Sequence, residues 1–161
     1  MKIQTLKIKD LTPDSENARR HDEKNLKAIQ GSLKQFGQRK PIVITEAGVV
    51  VAGNGTVEAA KRLGWLEIEA VTVPADWSPE QTKAFALADN RTAELASWDS
   101  ITLAEQLLEL EEANFVIEEF GFAKQEPSES TRPEEFPSFD DTEETSHRCP
   151  KCSYEWNGKT K

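Results

Sequence analysis

Residues 49–64, VVVAGNGTVEAAKRLG, constrain the fold more than any other stretch of the chain. Val49 to Ala52 is a short, β-branched apolar run and reads as a strand. Gly53-Asn54-Gly55 breaks it, and a helix from about Thr56 to Leu63 begins at once, stopped by Gly64. A strand that hands the chain straight to a helix implies a body of sheet and helices packed in layers. The same turn is a candidate ligand site. Glycines let the backbone approach a ligand closely, and the first helical turn offers unpaired N–H groups with a partial positive charge. That geometry suits a phosphate or another anion, with the Thr56 hydroxyl as a further donor. The alternative is that the glycines serve only the turn.

The flanking sequence supplies the other elements. Ile3 to Ile8 reads as a strand. Asp22 caps a helix with apolar positions Leu26, Ile29, Leu33 and Phe36, ended by Gly37. Pro41 to Ile44 and Val49 to Ala52 flank Glu46-Ala47-Gly48 as a hairpin, and Glu67 to Val73 is a further strand. Ser78-Pro79-Glu80-Gln81 is a capping box that starts a helix running to about Ala88. A last helix spans about Ile101 to Ala113, and Phe115 to Phe122 should pack its end. The expected body is therefore α+β, a small mixed sheet with flanking helices, over residues 1–124. Residues 125–146 combine three prolines with eight acids, and only Phe136 and Phe139 could bury much surface. They are expected to be a disordered acidic linker. Residues 147–161 form a short tail.

Charge is distributed unevenly. The net −9 argues against nucleic acid, yet residues 1–40 carry ten Lys/Arg against five Asp/Glu. Residues 41–124 carry five against fifteen. The basic front keeps phosphate binding open, and the alternative is a solvated helix face. No apolar run approaches the roughly 20 residues that span a bilayer, and MKIQTLKIKD lacks the apolar core of a secretion signal. No membrane partner is expected. The two cysteines lie three apart, which reads as metal or redox chemistry in a reducing, cytoplasmic setting.

Order and spacing over about 90 residues resemble a known family. Glu16-Asn17-Ala18-Arg19 is followed by LKAIQGSLKQFGQRKPIVI, then VVAGNGTVEAAKRLG, then ALADNRTAE. This succession is similar to the ParB/sulfiredoxin-like fold, in the branch named ParB-like nuclease domain. LADNRTAELASWD with a following helix resembles stand-alone members encoded by phages and near DNA methyltransferases. The resemblance implies that Gly53, Asn54, Gly55 and Thr56 match a phosphate cradle of Gly-Glu-Arg-Arg type that binds a nucleoside triphosphate. Both family arginines are replaced, by Gly55 and Thr56. Arg19 and Arg20 match an arginine-containing loop that faces the cradle. Asp89, Asn90 and Arg91 match an element that holds phosphate and magnesium, with Asp89 and Asn90 as metal ligands. The plainer alternative is that Asp89 and Asn90 cap and terminate a helix. Glu58 and Glu16 are implied general bases should the site be catalytic, and His21 is either a phosphate contact or an exposed loop residue. Sulfiredoxin activity is excluded, because it needs a cysteine in the cradle.

The tail His147-Arg148-Cys149-Pro150-Lys151-Cys152 resembles the first knuckle of a zinc ribbon, with Cys149, Cys152 and His147 as candidate ligands. Three functions follow as expectations. The first is a nucleotide- or phosphate-binding protein acting on or near DNA with Mg2+ and a nucleoside triphosphate. The second is a metal-dependent nuclease or phosphotransferase. The third is an adaptor that binds a methyltransferase or terminase through the acidic helix 101–113 or the linker. A homodimer is compatible with each.

Overall fold

Five strands and four helices build residues 2–124 of the computed structural model, which also describes residues 147–156, without the Trp156 side chain. Its contacts divide the chain into two compact units, Met1–Lys124 and Gln125–Lys161. The expected linker 125–146 lies outside the described residues.

In the first unit, β1 (Ile3–Lys7) pairs antiparallel with β5 (Glu67–Thr72), Ile3 opposite Val71. β5 runs parallel to β3 (Ile42–Ile44), which forms an antiparallel hairpin with β4 (Val49–Ala52). The two-residue β2 (Thr12–Pro13) closes the sheet beside β4, in the order β1-β5-β3-β4-β2. Gly48 turns the hairpin with a φ of 79°.

Helix α1 (Glu23–Phe36) starts where the Asp22 carboxylate accepts the Asn25 N–H at 2.8 Å, and it stops at Gly37, φ 68°. It packs beside α2 (Asn54–Arg62). Between these helices and the sheet lie Ile8, Leu33, Ile42, Ile44, Val57 and Ile68. Ala59 and Ala60 of α2 are fully buried, and their small side chains let the helix lie close to its neighbours. α2 begins two residues before the expected Thr56, because Gly53 serves as its N-cap.

Helix α3 (Pro79–Leu95) has the expected capping box, Ser78 Oγ accepting from Gln81 N–H and Gln81 Oε1 from Ser78 N–H. It runs well past Ala88. Asn90 Nδ2 donates to the Ala86 carbonyl at 2.8 Å and Thr92 Oγ1 to Ala88 at 3.0 Å, so these polar side chains bond within the helix instead of ending it. Asp89 and Asn90 are thus helix-interior residues. None of α3 is buried. Helix α4 (Ser100–Glu112) is capped by Asp99 and buries Leu107.

Phe115 to Phe122 does more than pack the end of α4. A 3-10 turn at Ile117–Phe120 lies mainly against α1, with Ile117 buried. The Phe36 ring lies 6.4 Å from Phe115 and 5.4 Å from Phe120, centre to centre. Gly31 makes the approach possible, since a Cβ there would sit 2.1 Å from the Glu119 carbonyl oxygen. Replacing a mid-helix glycine by alanine ordinarily stabilises by about 0.5–1 kcal/mol. Here overpacking, about 1–3 kcal/mol, should outweigh that gain. Gly31→Ala is therefore expected to lower the urea midpoint of unfolding. A raised midpoint would show that the 3-10 turn does not rest on Gly31.

Candidate functional site

The chain leaves β4 through Gly53, whose φ of 95° is left-handed and whose Cβ position is already taken: an added carbon would lie 2.7 Å from Cγ2 of Ile42. As an N-cap, Gly53 has no side chain to accept the first amides of α2. The first intrahelical bond is Val57 N–H to the Gly53 carbonyl at 3.0 Å. The amides of Asn54, Gly55 and Thr56 therefore have no partner within the helix. All three residues line a cavity of about 220 Å³. The Asn54 side chain is committed elsewhere, its Nδ2 donating to the Val50 carbonyl at 3.1 Å. From Asn54 only the backbone amide remains for a ligand.

The loop before α1 forms the opposite wall. Asn17, Arg19 and His21 line the cavity, and Arg20 does not. The expected pair of arginines is thus one arginine. Asn17 Oδ1 accepts the Arg19 amide at 3.0 Å. Arg19 Nη1 donates to Asn90 Oδ1 at 3.0 Å and lies 3.6 Å from Glu94 Oε1. The guanidinium is held in place by α3 while most of its five donors stay uncommitted.

His21 stands on the helix start itself. An added Cβ on Gly55 would lie 2.7 Å from Cε1 of His21, so the ring occupies the space that a side chain at Gly55 would need. Nδ1 lies 2.7 Å from Asn25 Oδ1, an acceptor, and therefore carries the proton. Asn25, invisible as a site residue in the sequence, lines the cavity one helical turn on.

Four candidates fall elsewhere. Asp89 lines neither this cavity nor its neighbour, and Arg91 pairs with Glu94 at 3.3 Å on the surface of α3. Asn90 does line the cavity, yet its carbonyl oxygen already faces the Arg19 guanidinium. Asp89 and Asn90 therefore do not form a joint magnesium site at the cradle: Asp89 is not among the lining residues, and Asn90 Oδ1 holds a cation of the protein. Glu58 accepts from Arg62 Nε at 3.1 Å, within a network in which Arg62 also grips both oxygens of Glu23. Glu16 Oε2 lies 2.6 Å from Lys83 Nζ, and this hydrogen bond, with the ammonium charge, holds its carboxyl below the usual value. Neither glutamate lines the cradle cavity, and the Glu16 carboxylate, stabilised by Lys83, is a poor proton acceptor.

A second, larger cleft of about 800 Å³ adjoins the cradle and shares Asn17, Val51 and Asn90 with it. Its wall includes Val73, Trp77 and Leu87, with Glu16 and Lys83 at its edge. Trp77 leans on Phe85, ring centres 5.5 Å apart.

In the second unit, β6 (His147–Arg148) pairs with β7 (Glu155–Trp156). The amides of Lys151 and Cys152 hydrogen-bond the Cys149 thiol and lower its pKa. Among the described residues no three His, Cys, Asp or Glu side chains gather as a metal site, so His147 is not brought to the cysteine pair. Nor does any described helix have the length and apolarity to cross a membrane.

Comparison with known proteins matches residues 1–91 to the family model described as the ParB N-terminal domain. The ParB-like nuclease domain-containing protein YnaK of Escherichia coli (strain K12) is 38% identical over 63 residues, 39% of this chain and 72% of that protein. The C-terminally truncated chromosome-partitioning protein ParB from Caulobacter crescentus, complexed with CTP-gamma-S, superposes with a TM-score of 0.58 at 18% identity, covering 75% of this chain and 69% of that one. Sulfiredoxin from Arabidopsis thaliana gives a TM-score of 0.43 at 20% identity over 54% of this chain and 98% of its own.

The seat of His21 on Gly55 can be tested by a double-mutant cycle. Gly55→Ala alone should displace the ring and break its bond to Asn25, so the gain of about 0.5–1 kcal/mol ordinarily given by alanine in a helix should be reduced or lost. In a His21→Ala background the gain should appear in full. Additive unfolding energies would show that the ring does not rest there.

Proposed function

The chain belongs to the ParB N-terminal domain family, and from that membership and the geometry of the cradle we propose that it binds a nucleoside triphosphate as a phosphate-anchored module working on or near DNA. One observation carries the reading: a small polar cavity at an uncapped helix start opens beside a larger, partly apolar cleft. A nucleotide has the same two halves. The phosphates fit the side with the amides of Asn54, Gly55 and Thr56, the Thr56 hydroxyl, Arg19 and His21. The sugar and base fit the side with Val73, Trp77 and Leu87. The Caulobacter protein solved with CTP-gamma-S supports a nucleotide as the ligand class.

The charge for this task comes from few groups. Arg19 supplies a permanent cation, presented in a fixed direction by Asn90 and Glu94. His21 Nε2 becomes a donor only when the ring is protonated, because Nδ1 already donates to Asn25. Glu58 and Glu16 lie outside the cradle lining and each is engaged by a cation of the protein, which favours binding over turnover.

Calorimetric titration with CTP, ATP and GTP tests the reading. At least one nucleotide should bind. Arg19→Ala should weaken it by about 10- to 100-fold, the equivalent of one charged hydrogen bond of about 1.5–3 kcal/mol. Arg20→Ala should leave it within a factor of about two. Thr56→Arg, which adds a guanidinium at the cradle, should tighten it. Equal losses from Arg19→Ala and Arg20→Ala would indicate a diffuse basic surface, and silence with all three nucleotides would remove the proposal.

A further inference from the structure

Residues 147–156 form a hairpin whose closed end carries both cysteines of the sequence. His147 lies opposite Trp156 and Arg148 opposite Glu155. The Cys149 amide donates to the Tyr154 carbonyl at 2.8 Å, and the Ser153 amide returns to the Cys149 carbonyl at 2.9 Å. Ser153 takes a φ of 61°, the left-handed bend that closes the loop. Cys149 and Cys152 both lie in this loop, on either side of Pro150 and Lys151. The cysteines are free, Cys149 partly covered and Cys152 exposed.

We propose that this turn is half of a structural zinc site, and that a second copy of the chain supplies the other half, so that one ion is held by Cys149 and Cys152 of each of two chains. The ligand chemistry selects the metal: paired thiolates suit a borderline-soft tetrahedral ion and not magnesium or calcium. Among the described residues His147 is not gathered with the cysteine pair into a three-ligand group. His147 is at the open end, two residues before Cys149, and no third acidic, His or Cys side chain joins the pair among the described residues. The other histidine of these 161 residues, His21, belongs to the cradle. A closed tetrahedral site needs four ligands, and an identical turn related by a two-fold axis offers the matching two. Charge favours the same assembly. Four thiolates around Zn2+ leave a double negative charge, and residues 147–161 carry four Lys/Arg against a single Glu.

The test uses the full chain, stripped of metal and kept reduced, titrated with zinc chloride and followed by sedimentation. The expected result is half a zinc ion per chain, a dimer that forms with zinc, and its loss on adding chelator. Cobalt in place of zinc should give the intense visible absorption of a tetrahedral thiolate site. Cys149→Ser and Cys152→Ser should each abolish metal uptake and the zinc-dependent dimer, while the urea midpoint of the body, a separate unit, stays unchanged. One zinc per monomer, no zinc uptake, or a dimer equally populated in chelator and in Cys149→Ser would overturn the proposal. None of these outcomes depends on nucleotide binding, so the two readings fail separately.

Discussion

The contact between Gly53 and Ile42 is the constraint on which the candidate site depends. A left-handed φ of 95° and a gap that admits no Cβ force the chain to turn from β4 into α2 at this position. The turn leaves α2 without a side-chain cap, and its first amides are satisfied neither by the helix nor by Asn54, whose side chain bonds Val50. Three aligned donors at the positive end of a helix dipole are the consequence. Burial of Val57, Ala59 and Ala60 keeps the helix start rigid against the sheet. The site is therefore built into the core packing of the body and not appended to it.

Polar organisation around that start is economical in charge. Although the first forty residues hold half of all Lys and Arg, only Arg19 among them lines the cradle. Its direction comes from Asn90 and Glu94 on α3, a helix with no buried residue of its own. α3 thereby shapes both cavities through polar contacts while contributing little to the core. A helix held this way can be displaced at lower cost than α1 or α2, whose apolar faces are buried. The His21 ring fills the space above Gly55, so a ring from the opposite loop stands where α2 offers no side chain.

Much of the fold was legible because its signals are local. Asp22, Gly37, Gly48, Ser78 and Gln81 act within one turn of where they stand, and each does in the structure what its residue type favours. The ends of α3 and the seat of Ile117 were not legible. Asn90 and Thr92 are poor helix formers by type, and only their bonds to carbonyls one turn back show them tolerated. The turn that holds Ile117 follows a helix in sequence, yet it packs on α1, where Gly31 leaves room for the Glu119 backbone. That space is created by a residue far away along the chain.

The sequence by itself determined the strand-to-helix turn at Gly53, the α+β succession, the capping residues and the cysteine pair, since each rests on backbone preferences or spacings of a few residues. Tertiary structure alone decided which side chains meet at the turn. Arg19 and Arg20 are adjacent and identical in chemistry, and the path of an irregular loop turns only the first toward the cradle. Asp89, Asn90 and Arg91 are consecutive, and the rotation of about 100° per residue along a helix gives them three different directions. Only Asn90 faces the site. Periodicity ranks positions within one element, but the angle at which that element docks sets which position looks inward, and that angle is fixed by packing between distant parts of the chain.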